Sequence, residues 1–167
     1  MRRLALLAAA GALVLGLGAQ PVAARSGSTI VETAIAVNAQ TGEFDHLIAA
    51  VVRAGLAETL DGHRQLTVFA PTDAAFERLF AALGVSGVDQ IPVDTLRSVL
   101  LYHVAPGNRD STSVLESSRI RTLLKGFLVP SVHDGSAWIN GARIVLPDVR
   151  ASNGVIHVID GVLLPPA

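Results

Sequence analysis

Five histidines, at positions 46, 63, 103, 133 and 157, are the side chains of this 167-residue sequence best suited to moving protons or binding a metal. No two of them stand three to five positions apart, so none forms the ligand pair that a helix presents to zinc. His103 falls on one helical stripe with Leu96, Val99 and Leu100, and His157 shares a strand face with Val155 and Ile159. Imidazoles in such apolar company are expected to be buried, with both ring nitrogens bonded to backbone or to a neighbouring hydroxyl. No serine sits in a GxSxG elbow, no glycine-rich phosphate loop occurs, and the carboxylates are scattered. Cysteine is absent, which excludes thiol catalysis, zinc–thiolate and iron–sulfur centres and a lipid anchor on cysteine. The expectation is a protein that is not an enzyme, with no metal and no cofactor. One enzymatic alternative stands beside it, a hydrolase in which His103 or His157 meets a distant acid in the fold.

The stretch LTVFAPTDAAF, residues 66–76, has the strand–corner–helix layout on which many enzymes mount a nucleophile or bind phosphate. The corner itself holds no histidine or lysine to support Thr72 or Asp73, and the turn holds a proline where a phosphate loop needs glycines. Thr72 and Asp73 are instead residue types that cap a helix, accepting a bond from a free first-turn N–H worth ~1 kcal/mol. The charge of Asp73 also suits the positive end of the helix dipole.

The elements that must position these residues follow from spacing. Thr29 to Ala39 reads as a helix, and Glu43 to Leu60 as a second, with Phe44, Leu47, Ile48, Val51 and Val52 on one face. The helix opened by Asp73 ends at Gly84, and another spans Val93 to Tyr102, capped near Asp94. Residues 108–118 read as a polar surface loop with one helical turn. From Leu123 onward the pattern is of strands: Phe127 to His133, Ala137 to Ile139, Ala142 to Leu146, and Val155 to Ile159 extended by Gly161 to Leu164. Asn140-Gly141 between apolar segments predicts a two-residue hairpin turn, and Asn153-Gly154 precedes the last strand. Helices first and antiparallel strands after them indicate an α+β domain.

The N-terminus has the three parts of a secretory signal: Met1-Arg2-Arg3, an uncharged stretch from Leu4 to Ala19, and small residues at Val22-Ala23-Ala24. The apolar stretch is shorter than the ~20 residues a bilayer span needs, which favours cleavage after Ala24 over a membrane anchor. Residues 25–28 then form a short polar lead and residues 29–166 a single domain. The mature protein is expected to be secreted, periplasmic or extracellular, with no stable membrane insertion. Its net charge moves from −1 to −3 when Arg2 and Arg3 are lost, which gives no electrostatic case for binding nucleic acid.

Three segments together resemble the fasciclin family of extracellular domains: Thr67 to Phe76, Leu100-Leu101-Tyr102-His103-Val104, and Asn153 to Pro165. They occur in the family's order, and the similarity covers about residues 28–166. The resemblance implies an α+β fold, a β-wedge of two sheets with several packed helices. The first and last segments would supply core strands, and the Tyr-His segment would lie between them at a helix end. Thr72, Asp73, Tyr102, His103, Asn153, Gly154, His157 and Asp160 would then be structural signature residues.

The same resemblance implies adhesion or recognition of a cell-surface or matrix protein, or of a polysaccharide. In animal members a Pro-Asp-Ile-type segment and the Tyr-His neighbourhood are linked to integrin binding. Here Pro147-Asp148-Val149 matches the first with Val in place of Ile, so Pro147, Asp148, Val149, Tyr102 and His103 are the candidate partner-binding residues. The export signal and single-domain layout look bacterial, which argues against an integrin. With one domain only, avidity would have to come from weak self-association or from a partner displayed in many copies. The second functional reading is a small-molecule or glycan carrier, since an apolar content of 50% permits a pocket between sheet and helices.

Overall fold

The computed structural model describes residues 27–166. The expected signal peptide and the first half of the polar lead lie outside the described residues. The elements run in the order α1 (Ile30–Thr41), α2 (Asp45–Arg53), α3 (Ala57–Asp61), β1 (Leu66–Pro71), α4 (Asp73–Leu83) and α5 (Val93–Tyr102). Then come β2 (Val104–Pro106), α6 (Ser111–Glu116), β3 (Ile120–Arg121), β4 (Phe127–Leu128), β5 (Pro130–His133), β6 (Ser136–Ile139), β7 (Ala142–Ala151) and β8 (Gly154–Ile159). One sheet has six strands in the order β2-β1-β8-β7-β6-β5, and β3 and β4 form a small second one.

The parallel pair β1–β8 lies in the interior of the large sheet, and every residue of both strands is buried. Strands covered on both faces read as continuous apolar runs, which is how both appear in the sequence. Alternation along them divides the core in two. Leu66, Val68, Ala70, Ile156 and Val158 face a cluster built with the helices. Phe69 and Ile159 face a second cluster with Tyr102, Val114, Leu128, Ile139 and Ile144.

Asn153 and Gly154 set the register of this pair. The Asn153 side chain accepts from the backbone N–H of Ile30 at 2.8 Å and donates to the carbonyls of Leu60 and Gly62 at 2.6 and 3.0 Å. Its own carbonyl accepts from Leu66 N–H at 3.0 Å. One buried residue thus joins the start of α1 and the end of α3 through its side chain and the start of β1 through its backbone. At Gly154 a Cβ would stand 1.9 Å from the Leu66 carbonyl oxygen, so no side chain fits there.

Several elements match the sequence reading. Thr29 caps α1 in a capping box with Glu32, and Gly84 ends α4 in the left-handed conformation. Asn140 and Gly141, with φ of 46° and 83°, make the two-residue turn between Ile139 and Ala142.

Other expectations are corrected. The single helix over Glu43 to Leu60 is two helices, because Gly55 at φ 65° breaks the chain and lets Leu56 and Leu60 turn back into the core. In α2 the buried face is Leu47, Ala50 and Val51, and Val52 is 68% exposed. Helix α5 starts after Pro92 with no side-chain cap, and Asp94 lies inside its first turn. Phe127 to His133 is split between the two sheets. Gly161 to Leu164 is not strand, since Leu163 turns inward and its N–H bonds to His103. Strand β7 runs past Leu146 to Ala151 through a bulge that contains Pro147 and Asp148.

Gly154→Ala is expected to lower unfolding stability by about 3 kcal/mol, since backbone rather than a movable side chain opposes the new methyl. Urea denaturation of the two proteins measures it; an unchanged midpoint would mean that β1 and β8 can part at no cost.

Candidate functional site

The corner between β1 and α4 joins four elements. Thr72 accepts from Ala75 N–H at 3.3 Å and so caps its own helix, and its N–H donates to the Ile159 carbonyl of β8 at 3.1 Å. Asp73 caps a different helix. Its carboxylate accepts from the N–H groups of Asp45 and His46 at 3.1 and 2.8 Å, which are free donors of the first turn of α2. Sequence spacing gives the local cap but not this second one, which requires knowing that the two helix starts adjoin.

His103 is buried at the end of α5. Its Nε2 accepts from Leu163 N–H at 2.8 Å, so the proton sits on Nδ1, which donates to the Val99 carbonyl at 2.7 Å. Burial pushes its pKa down from 6.5 to about 4, against a smaller opposing effect of the Val99 carbonyl. Beside it, the Tyr102 hydroxyl donates to the Phe127 carbonyl at 2.8 Å and accepts from Asn140 Nδ2 at 3.0 Å.

His157 is likewise buried and neutral. Its Nδ1 accepts from Asp148 N–H at 3.2 Å and its Nε2 donates to the Arg109 carbonyl at 2.8 Å, while its ring stacks on Phe69 at 5.6 Å. Burial lowers its pKa, partly offset by the Arg109 carbonyl and the charges of Asp148 and Asp110. The Asp148 carboxylate accepts from Ser111 N–H at 2.7 Å and from the Ser111 hydroxyl, at the start of α6. Thr67 completes this fastening: its hydroxyl donates to the Gly107 carbonyl at 2.8 Å and accepts from Arg109 N–H at 2.9 Å. Thr67 escaped the sequence reading, although a lone hydroxyl inside an apolar strand is the kind of signal that marks such a bond. Asp160 accepts from Arg143 N–H at 2.8 Å, and its carbonyl accepts from the Arg78 guanidinium.

Among the described residues no hydrogen bond joins any two of Asp73, His103 and His157. Each is held by a different piece of backbone. Of the five candidate partner-binding residues, Tyr102, His103 and Val149 are buried and Asp148 is half-buried and bonded; Pro147 is exposed. Next to Pro147, Val145 and Leu146 are 47% and 42% exposed. They edge a groove of about 240 Å³ whose other rim carries Thr41, Glu43 and Thr72. Strand alternation predicts one of these neighbours outward, not both; the bulge turns the second one out.

A family model for the fasciclin domain matches residues 42–165. The protein sll1483 of Synechocystis is 43% identical over 141 residues, which is 84% of this chain and 76% of that protein. The transforming growth factor-beta-induced protein ig-h3 of Sus scrofa is 36% identical over 124 residues, 74% of this chain but 18% of that one. The cell surface glycolipoprotein MPB83 of Mycobacterium bovis is 38% identical over 114 residues, 67% of this chain and 49% of that one. Among solved structures, a FAS1 domain pair from the insect cell adhesion molecule Fasciclin I matches with a TM-score of 0.68 at 18% identity. That match covers 83% of this chain and 51% of the other, and it is a likeness of fold.

The two histidines make stability depend on pH. Below about 6.5 the unfolded chain takes up protons that the folded chain refuses, so ν for the unfolded state exceeds ν for the native state and stability falls as pH falls. For His103 alone the full loss, reached near pH 4, is on the order of 3 kcal/mol. Urea midpoints measured from pH 7.5 to 5, above the ordinary carboxylate range, are expected to fall, and His103→Gln is expected to reduce the slope by up to about one proton. A flat profile over that window would contradict the buried neutral assignment.

Proposed function

The chain belongs to the fasciclin domain family, and from that premise we propose that it is an exported recognition module that binds a cell-surface or matrix molecule without catalysing a reaction. The observation that carries this reading is where polar chemistry is placed. The side chains of Thr72, Asp73, Tyr102, His103, Asn153, His157 and Asp160 are each bonded to backbone, and both ring nitrogens of the two histidines are occupied. The exposed apolar side chains Val145, Leu146 and Pro147 lie together beside a groove. An apolar centre with a polar rim is the usual make-up of a recognition surface. The likeness to a cell surface glycolipoprotein, together with a fold shared with a domain pair of a cell adhesion molecule, supports a place at the cell exterior.

In this reading residues 1–24 direct export and are removed, and residues 29–166 form the recognising unit. The partner is a surface or matrix protein or a polysaccharide, and the contact is centred on Leu146 and Pro147, with Asp148 holding the bulge that presents them. One domain binds weakly, so firm attachment needs self-association or a partner presented in many copies.

Two measurements test it. Mass spectrometry of the exported protein is expected to find Arg25 at its N-terminus; an intact Met1 would remove the secretory reading. Pull-down from the producer's envelope, together with a glycan array, is expected to retain a ligand at micromolar protein. Leu146→Asp should weaken that retention about tenfold with an unchanged melting temperature. If no ligand is retained, or if Leu146→Asp binds as well as the wild type, the proposed surface is wrong.

A further inference from the structure

A second groove lies between α1 and α2, floored by the β1–β8 pair and closed at one end by α3. All thirteen of its lining residues are Ala, Val, Leu or Ile. Ala34 and Ile35 form one wall, Ile48 and Val52 the other, with Val68 and Ile156 in the floor. It holds about 80 Å³ of space and opens to solvent past Ile35 and Val52. No polar group lines it to hold ordered water, so it offers nothing to replace the contacts that a filled core would make.

Helix α1 is built for two neighbours. Ile30, Thr33 and Val37 are buried against the sheet, which is all that a surface helix needs. Yet Val31, Ala34 and Ile35 form a second apolar stripe about a third of a turn round, facing the groove, and Ile35 is 49% exposed there. Val52, 68% exposed, stands at the opposite lip. A helix that is apolar on this much of its circumference is normally covered on more than one side.

The lining also selects the charge of the occupant. It contains no lysine, arginine or histidine, so nothing there would compensate a carboxylate or phosphate withdrawn from water. We propose that the α1–α2 groove binds the hydrocarbon chain of a neutral small molecule, taken up from solution, with any polar end left outside past Ile35 and Val52. The site shares no lining residue with the groove of Val145 and Leu146, so it stands or falls independently of the adhesion reading.

The test is a fluorescence titration of the exported protein with N-phenyl-1-naphthylamine, an uncharged apolar probe, with 1-hexadecanol as competitor. Saturable binding of one probe per chain, displaced by the alcohol, is expected. Ala34→Phe, which places a ring in the groove, and Val52→Lys, at an exposed position that leaves the core intact, should each weaken binding about tenfold or more. Their unfolding midpoints should stay at or above that of the wild type for Ala34→Phe and close to it for Val52→Lys. The proposal is overturned if no saturable binding is found, or if both variants bind as the wild type does. It is equally overturned if sedimentation shows a dimer that Val52→Lys alone disperses, which would make a second copy the occupant. Binding seen only with phosphatidylcholine vesicles would make it a membrane surface instead.

Discussion

A strand buried on both faces has no water to satisfy its backbone, so β1 and β8 depend on each other and on their outer neighbours for every N–H and C=O. The two strands come from distant parts of the chain, with Leu66 beside Gly154 and Pro71 beside Ile159. A slip of one residue would exchange Val68 for Phe69 and Ile156 for His157 between the two halves of the core. The bonds of Asn153 to Ile30, Leu60 and Gly62, and the lack of room at Gly154, hold one end of this pairing. Thr72 holds the other by its bond to the Ile159 carbonyl. The helices, the bulge and both grooves take their places from that register.

Once the register is fixed, the buried polar groups have fixed work. His103 ties the end of α5 to the C-terminal segment through Leu163, and His157 ties β8 to the 107–111 segment and to the bulge. A buried imidazole with one donor and one acceptor bond stays neutral, because protonation would turn its accepting nitrogen into a second donor facing an N–H. The same two bonds that fasten the fold therefore deprive both rings of a free nitrogen for general base work. The distribution of hydrogen bonds, rather than the presence of histidine, is therefore what counts against a hydrolase with His103 or His157 as its base.

Much of this was legible in the sequence because it is local. The Thr72 cap, the Gly84 stop, the Asn140-Gly141 turn and the burial of His103 and His157 depend on residues within a few positions of one another, and spacing reports them. What escaped was non-local. Asp73 caps a helix that begins 28 residues earlier, and Asp148 caps one that begins 37 residues earlier. Asn153 reads as a turn residue, and nothing in Asn-Gly discloses that its amide reaches across to α1 and α3. Gly55 stands inside a segment whose spacing reads as one helix, and whether that helix continues, bends or breaks there is decided by the pull of Leu56 and Leu60 into the core. The exposure of Leu146 depends on a bulge that shifts register by tertiary pairing with β8.

These two grooves offer two kinds of chemistry. Beside Val145 and Leu146 the apolar rim faces Thr41, Glu43 and Thr72, so an occupant there can be read by hydrogen bonds as well as by shape. Between α1 and α2 nothing can be read except length, width and the absence of charge. Polar groups give a binding site its discrimination, and an apolar slot can distinguish homologous chains only by about 1–3 kcal/mol per methylene. The first groove suits recognition of a particular partner and the second the retention of a class of molecules. Both share α1 as a wall, since Val37 and Thr41 line one and Ile30, Ala34 and Ile35 the other. A helix held to the sheet at Ile30 by the Asn153 side chain and at Val37 by burial thereby fixes one wall of each groove.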